Sequence, residues 1–228
     1  MNKYEAIKGD ELILKYKVRL PQAELSHPPL LILLHGVGSN EDDLFKFADH
    51  LPAGLIVVSA RAPYTLDQNR YAWYQVDFSS GKPVINAEQA EKSLAVLKLF
   101  INQLAERYQA DPARVYLAGF SQGAIMSYSA AFTYPEKLAG IAAFSGRILD
   151  EVKPSFQLSP ALKNLEIFIS HGIHDPMLPV NYAREAKELI EGYQLHLSYH
   201  EYENGHTIDA AVYTDFLGWL RTRLGLQD

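Results

Sequence analysis

The chain has 228 residues, of which 48% are hydrophobic and 21% are charged, and its formal net charge is −6. This length and composition are typical of one globular domain, and the negative charge argues against a surface that binds nucleic acid. The sequence contains no cysteine, which excludes a disulfide framework and a thiol nucleophile.

The first residues and the longest aliphatic run both argue against export and against membrane insertion. Residues 1–14 are mostly polar and lack the apolar core of a secretory signal. The longest purely aliphatic run, residues 30–34, is far too short to cross a bilayer. We therefore expect a cytoplasmic protein with no stable membrane insertion.

The N-terminal part of the chain predicts strands on either side of a short helix. In residues 11–20, apolar side chains alternate with mostly charged neighbours, which indicates a half-exposed antiparallel edge strand. A loop separates this segment from residues 30–34, whose apolar character predicts a buried strand. Residues 42–51 then predict a short helix, and residues 55–60 predict a second buried strand.

Residues 61–86 are the longest stretch without clear periodicity, and they are rich in aromatic side chains. Loops of this length inside compact domains tend to be functional or mobile. Because charged residues interrupt the aromatics, the segment lacks the continuous apolar face of a lid that opens on a lipid surface. Trp73 and Tyr71 are candidate substrate-binding residues in the wall of a pocket, and the alternative is that they form the core of the loop itself.

The C-terminal part alternates helices with strands. Residues 87–108 have the apolar spacing of a long helix. Residues 115–118 predict a buried strand, and a helix follows over residues 124–134. Further strands are predicted at 138–145, 165–171 and 195–202, and further helices from 178 or 179 to about 190 and at 208–224. This alternation predicts an α/β fold with a mostly parallel sheet, helices on both faces and no separate cap, as one domain over residues 1–228.

Residues 119–123 read GFSQG and match the nucleophile-elbow pattern G-x-S-x-G. A serine hydroxyl is a weak nucleophile, so it has to stand clear of the sheet where a base can reach it. A sharp turn between strand and helix achieves this and leaves the serine in a strained backbone conformation. The flanking Gly119 and Gly123 give the strand and helix the room to approach each other. Ser121 is therefore the predicted nucleophile.

Two residues that follow predicted strands complete the chemistry of a serine hydrolase. Ligands of open α/β sheets bind at the carboxyl ends of the strands, which is where Asp175 and His206 occur. The chain order Ser121, Asp175, His206 is the order of an α/β-hydrolase. His206 would take the serine proton as general base, and Asp175 would hold the imidazole in the required tautomer.

Other residues compete for these two roles. Asp150 and Glu151 are alternative acids because they follow a different predicted strand. His171, His174 and His200 are alternative bases. His171 and His174 precede the acid in the chain, however, and His200 lies within a strand pattern.

Two backbone amides are candidates for an oxyanion hole. The Gln122 amide lies at the start of the helix after the elbow, and the Val37 amide lies in a loop between two glycines. The neighbouring His35 is expected to make a structural hydrogen bond.

A zinc site would be an alternative use of the histidines. The candidate ligands are His171, His174 and His206, since imidazoles are common ligands of zinc. The chain has no HExxH motif, and we expect neither a metal ion nor another cofactor.

Four segments together resemble a known family. LILLHGVGSNEDDL, LAGFSQGAIMS, HGIHDPMLP and ENGHTI are similar to the signatures of the phospholipase/carboxylesterase family, whose eukaryotic members include the acyl-protein thioesterases. The resemblance extends from about residue 30 to the C-terminus and keeps the order and spacing of the signatures. It implies an α/β-hydrolase with few lid elements that acts on carboxylic esters and in some members on thioesters. It also implies Ser121, Asp175 and His206 as the triad, with the Val37 and Gln122 amides as the oxyanion hole.

The predicted function is a serine carboxylesterase that acts on a small-molecule ester with a short-to-medium acyl chain. A thioesterase or a peptidase that uses the same triad is an alternative. A protein of this fold that only binds a ligand or partner would be expected to lack a triad residue, and none is missing. The sequence also leaves a homodimer open.

Overall fold

The structure of the protein is a computed structural model that describes residues 12–22, 25–77, 79 and 84–226. Parts of the predictions for residues 1–14, 11–20, 61–86 and 1–228 therefore lie outside the described residues. The strands are β1 (Tyr16–Arg19), β2 (Leu30–Leu34), β3 (Ile56–Ala60), β4 (Tyr64–Asp67), β5 (Arg70–Ala72), β6 (Val76–Asp77), β7 (Val84–Ile85), β8 (Val115–Phe120), β9 (Gly140–Phe144), β10 (Glu166–Gly172) and β11 (His196–Tyr202). The α-helices are α1 (Asp42–Phe45), α2 (Ala87–Arg107), α3 (Gln122–Thr133), α4 (Asn181–Gly192) and α5 (Ala210–Arg223).

Seven of the strands form one sheet in the order β1-β3-β2-β8-β9-β10-β11. Only β1 is antiparallel, and it pairs with β3 at one edge, while all the other neighbours are parallel. This confirms the mostly parallel sheet and the antiparallel edge strand. The edge strand is shorter than the predicted 11–20 segment, because it is paired only over the four residues opposite β3.

Both faces of the sheet are covered by helices, as predicted. In β2, Leu30, Ile32 and Leu34 belong to a core shared with α2, α3 and α4. Leu31 and Leu33 point to the other face and share a core with α1 and α5. Since successive side chains of a strand point to opposite faces, an apolar run of five residues serves both layers.

Two further predicted segments differ in detail from the structure. Residues 61–86 contain two small antiparallel hairpins, β4–β5 and β6–β7. Their strands are short and largely solvent-exposed, so they lack the apolar runs that mark the central strands. The predicted helix at 42–51 is instead one turn of α-helix, α1, followed by a 3₁₀ turn (Ala48–His50).

Candidate active site

Ser121 lies at the turn between β8 and α3, in a left-handed backbone conformation with φ 54° and ψ −116°. Its amide donates to the carbonyl oxygen of Phe144 at 2.9 Å, which ties the turn to the end of β9. The flanking glycines have no room for a side chain. A Cβ on Gly119 would lie 2.6 Å from the amide nitrogen of Ala124, and a Cβ on Gly123 would lie 2.8 Å from the carbonyl oxygen of His35. The turn therefore has the close contacts and the positive φ of a nucleophile elbow.

Asp175 and His206 form a hydrogen-bonded pair at the carboxyl end of the sheet. His206 Nδ1 lies 2.6 Å from Asp175 Oδ2. The other carboxylate oxygen, Oδ1, accepts from the amides of Met177 and Leu178 at 2.8 and 2.9 Å. The carboxylate is buried, and these bonds fix its orientation. Because the carboxylate accepts from Nδ1, the Nε2 atom of His206 is left as the basic nitrogen.

The aromatic residue before the nucleophile connects this pair to the elbow. Phe120, which directly precedes Ser121, packs on the His206 ring with 4.8 Å between centroids. Among the described residues, Phe120 and His206 also line a common pocket of about 160 Å³ with Asp43 and Lys46. The end of β8 and the loop that carries His206 are thus in direct contact.

The competing histidines have other surroundings. His171 is buried, its Nε2 donates to the carbonyl oxygen of Leu178 at 2.7 Å, and the same nitrogen is 3.4 Å from Asp175 Oδ2. Burial lowers the pKa of His171, although the carbonyl of Leu178 and the charge of Asp175 oppose this shift. His174 is exposed and pairs with Glu203 at 3.0 Å.

The remaining competitors lie in other polar contacts. His200 Nε2 is 2.9 Å from the hydroxyl of Ser198 within β11. Asp150 is exposed and pairs with Lys153 at 2.6 Å, and this bond lowers the pKa of Asp150. Glu151 is exposed on the same turn.

The Val37 loop adjoins the elbow. A Cβ on Gly36 would lie 3.4 Å from the Cβ of Ser121, so the backbone of this loop passes beside the nucleophile. In the part of the chain that the structure describes, no protein group accepts a hydrogen bond from the amides of Val37 or Gln122. Two unpartnered amides near a serine are what an oxyanion hole requires.

The hairpin β4–β5 supports the Val37 loop from the other side. Gly38 has a φ of 75°. Its amide donates to the carbonyl oxygen of Tyr71 at 2.8 Å, and the Tyr71 amide donates to the carbonyl oxygen of Ser39 at 2.9 Å. The Tyr71 side chain is partly exposed, and its ring lies under the guanidinium of Arg61 at 4.5 Å. The geometry gives the Tyr71 backbone a clear structural role.

Trp73, predicted as a pocket wall, lies inside the protein. Its relative exposure is 0%, and its indole Nε1 donates to the carbonyl oxygen of His35 at 3.1 Å. The indole is therefore part of the core under the Val37 loop and is out of reach of a substrate. The loop-core alternative describes this residue correctly.

A cleft of about 650 Å³ is lined by Val37 and by residues of the two hairpins. Its described lining is mainly aliphatic, and the Val37 side chain is 49% exposed. The aliphatic lining residues are Val37, Leu66, Val76, Val84 and Ile85. Leu66, Val76, Val84 and Ile85 were missed at the sequence level, because single aliphatic residues in a stretch without periodicity give no signal.

His35, expected to make a structural hydrogen bond, makes two. Its Nδ1 lies 2.7 Å from the carbonyl oxygen of Gly36, and its Nε2 accepts from the amide of Ala62 at 3.1 Å. This arrangement fits the neutral ring. Burial favours the same form, because it lowers the pKa of His35.

The arrangement of the histidines and carboxylates also bears on metal binding. Within residues 12–22, 25–77, 79 and 84–226, no group of three or more His, Cys, Asp or Glu side chains is arranged to hold a metal ion. His171 and His206 lie near one carboxylate, whereas His174 faces Glu203. Among the described residues, each helix is too short or too polar to span a bilayer.

The fold and the elbow define the protein as an α/β-hydrolase. The sequence profile of the phospholipase/carboxylesterase family matches residues 18–223. The chain therefore belongs to this family, as the four signature segments indicated. This membership makes it a hydrolase of the esterase and thioesterase group.

Individual relatives cover most of the chain at modest identity. Acyl-protein thioesterase 1 of Kluyveromyces lactis is 27% identical over 188 residues, which are 77% of this chain and 81% of that protein. Feruloyl esterase B of Talaromyces stipitatus is 26% identical over 207 residues, which are 89% of this chain and 54% of that protein. The crystal structure of esterase PE8 superposes with a TM-score of 0.79 at 27% identity and covers 92% of this chain and 98% of its own.

Proposed function

We propose that the protein is a serine esterase that cleaves carboxylic esters through an acyl-enzyme on Ser121, with Asp175 and His206 as the other members of the triad. The observation that carries the proposal is the Asp175–His206 pair, 2.6 Å apart, whose imidazole packs on Phe120, the residue that precedes a serine held at a positive φ of 54°. Its substrate is a small-molecule ester, and the reaction needs no cofactor.

The proposed reaction has two halves. Ser121 Oγ attacks the ester carbonyl carbon while His206 Nε2 takes its proton, and the charge on the carbonyl oxygen is stabilised by the amides of Val37 and Gln122. The C–O bond then breaks and His206 returns the proton to the leaving alcohol. Water then attacks the acyl carbon while His206 takes its proton. The bond to Ser121 Oγ breaks, His206 returns the proton to Oγ, and the carboxylic acid leaves. Asp175 stays ionised and stabilises the imidazolium in both halves.

The cleft at Val37 supports a preference for short-to-medium acyl chains. Its volume of about 650 Å³ is in the usual range for small-molecule sites, and its aliphatic lining suits an acyl chain. Each buried methylene contributes about 0.8 kcal/mol, or roughly fourfold in kcat/KM. We expect kcat/KM for p-nitrophenyl esters to climb from acetate until the cleft is full and then to fall. A steady rise to palmitate, or a rate jump at the micelle threshold, would contradict this preference.

The test of the proposal is labelling by a fluorophosphonate probe, followed by mapping of the modified residue. The wild-type protein should be labelled once per chain at Ser121. Ser121→Ala should remain folded, escape labelling and lose on the order of 10⁶ in kcat. Label on another serine, or near-wild-type turnover by Ser121→Ala, would refute the proposal.

A thioesterase is the second candidate, favoured by the similarity to acyl-protein thioesterase 1 of Kluyveromyces lactis over 77% of this chain. Oxygen and sulfur esters of the same acyl group separate the two, because the acyl cleft contributes equally to both. We expect the oxygen ester to be hydrolysed with a kcat/KM at least comparable with that of its thioester after correction for their uncatalysed rates. A strong preference for the thioester would make thioesterase the better description. The cytoplasmic location and the homodimer stay predictions.

A further inference from the structure

The side chain of Gln122 is buried and has hydrogen-bond partners at both ends. Its relative exposure is 3%. Its Oε1 accepts from the backbone amide of Trp73 at 2.7 Å, and its Nε2 donates to the carbonyl oxygen of Tyr74 at 2.7 Å. The side chain of the residue after the nucleophile thus makes hydrogen bonds to the backbone of two consecutive residues that are distant in the sequence.

Trp73 continues this connection toward the Val37 loop. Its indole Nε1 donates to the carbonyl oxygen of His35 at 3.1 Å, and the two rings lie 6.0 Å apart. The carbonyl oxygen of Trp73 itself accepts from the hydroxyl of Ser93 in α2. Trp73 is therefore bonded to the elbow by its backbone amide, to the Val37 loop by its indole and to a rigid helix by its carbonyl.

We propose that Gln122 and Trp73 are positioning residues that fix the separation of the two oxyanion amides, those of Gln122 and Val37. The inference rests on the proposed function, because it concerns the oxyanion hole of the same site. The His35 carbonyl and the Val37 amide are separated by Gly36 alone, and glycine leaves the intervening backbone flexible. A hydrogen bond to that carbonyl limits this freedom. A donor misplaced by about 1 Å is enough to cost about 10²-fold in rate.

Trp73→Phe tests the proposal because it removes the indole N–H and retains an aromatic ring. The chain offers a matched control in Trp219→Phe. Trp219 is 6% exposed in the core on the opposite face of the sheet, and its Nε1 has no hydrogen-bond partner among the described residues. Both variants lose the same atoms from a buried core, but only the first loses a link to the Val37 loop.

For Trp73→Phe we expect a fall in kcat of about 10- to 100-fold on a p-nitrophenyl ester, since complete loss of one oxyanion donor costs about 10²–10³. KM should change less than about threefold, because the bond to the oxyanion is made in the transition state and not in the bound substrate. The inhibition constant of a trifluoromethyl ketone should rise by the same factor as kcat/KM falls, since its serine adduct carries an oxyanion. Trp219→Phe should keep kcat within about threefold despite a comparable loss of thermal stability.

Equal losses of activity in the two variants, or a folded Trp73→Phe with unchanged kcat, would overturn the inference. If Trp73→Phe does not fold, Gln122→Met decides the question, because it removes both bonds to residues 73 and 74 at similar volume. It should lose at least about tenfold in kcat with little change in KM, and full activity would overturn the inference. Failure of the proposed function is seen separately, as a wild-type protein whose Ser121 is not labelled.

Discussion

Gly123→Ala should damage both the stability and the activity of the protein, because the turn at Ser121 has no space for one methyl group. The added Cβ would lie 2.5 Å from the carbonyl carbon of Leu34 and 2.8 Å from the carbonyl oxygen of His35, and the carbonyl oxygen of Leu34 would be closer still. Ordinary contacts begin at 3.4 Å, so α3 and the end of β2 have to separate by about 1 Å. The obstacles are backbone atoms, which cannot move aside by changing a rotamer.

The size of the effect follows from that displacement. Overpacking of a dense core costs about 1–3 kcal/mol, which lowers the Tm of a domain of this size by about 2–12 °C. The same movement separates the Gln122 amide from the Val37 loop, and a misplacement of about 1 Å costs about 10²-fold in rate. We therefore expect kcat/KM to fall by about 10²-fold when it is measured well below the Tm of the variant.

Gly218→Ala is the matched control. Gly218 lies in α5, and a Cβ there would meet no heavy atom within 4 Å. Alanine is preferred over glycine inside a helix by about 0.5–1 kcal/mol, so this variant should be slightly more stable and fully active. If Gly123→Ala kept its wild-type Tm and kcat/KM, the tight contact between α3 and β2 would not be what defines the elbow.

Three further outcomes are expected. Asp175→Asn should lower kcat by about 10⁴-fold, while Asp150→Asn and Glu151→Gln should be nearly silent in the same ester assay; the reverse ranking would move the acid to the exposed turn. The free energy of unfolding should decrease as the pH drops below about 6.5. Burial lowers the pKa of His35 and His171, so in this range the unfolded chain binds protons that the folded chain does not. Each histidine contributes a slope of up to about 1.4 kcal/mol per pH unit until its own folded pKa is reached, and none above the unfolded pKa. In urea titrations between pH 5 and 7, His35→Gln should reduce the slope of the unfolding free energy against pH by the contribution of one histidine. An unchanged slope would contradict the assignment.

The central strands were predictable because burial on both faces favours apolar residues at nearly every position. The predicted strand at 30–34 matches β2, and the strand predicted at 55–60 differs from β3 by one residue. The hairpins between β3 and α2 were not predictable on the same basis. Their strands are two to four residues long and largely exposed to solvent, so no periodic pattern distinguishes them from loop.

The candidate site was predictable as far as topology determines it. The carboxyl ends of parallel strands meet at one edge, so Asp175 and His206 could be paired from their positions after β10 and β11, and they lie 2.6 Å apart. The role of His171 was not predictable. It lies near the end of β10 and approaches the same carboxylate at 3.4 Å, and only its bond to the carbonyl of Leu178 shows that its Nε2 is already used.

The contacts of Gln122 and Trp73 show where such reasoning from sequence stops. The two glycines of the elbow follow from local geometry, because any strand that turns directly into a helix has to pass close to it. Trp73 and Gln122 are 49 positions apart in the chain, and their bonds run between a side chain and a backbone. An aromatic residue in an irregular segment gives the same sequence signal whether it lines a pocket or donates to a buried carbonyl. Phenylalanine at position 73 would preserve that signal, the four family segments and the elbow, yet it would lack the N–H that reaches His35. One of the bonds that hold the Val37 loop, the bond from the Trp73 indole to the His35 carbonyl, thus depends on a donor that no local pattern encodes.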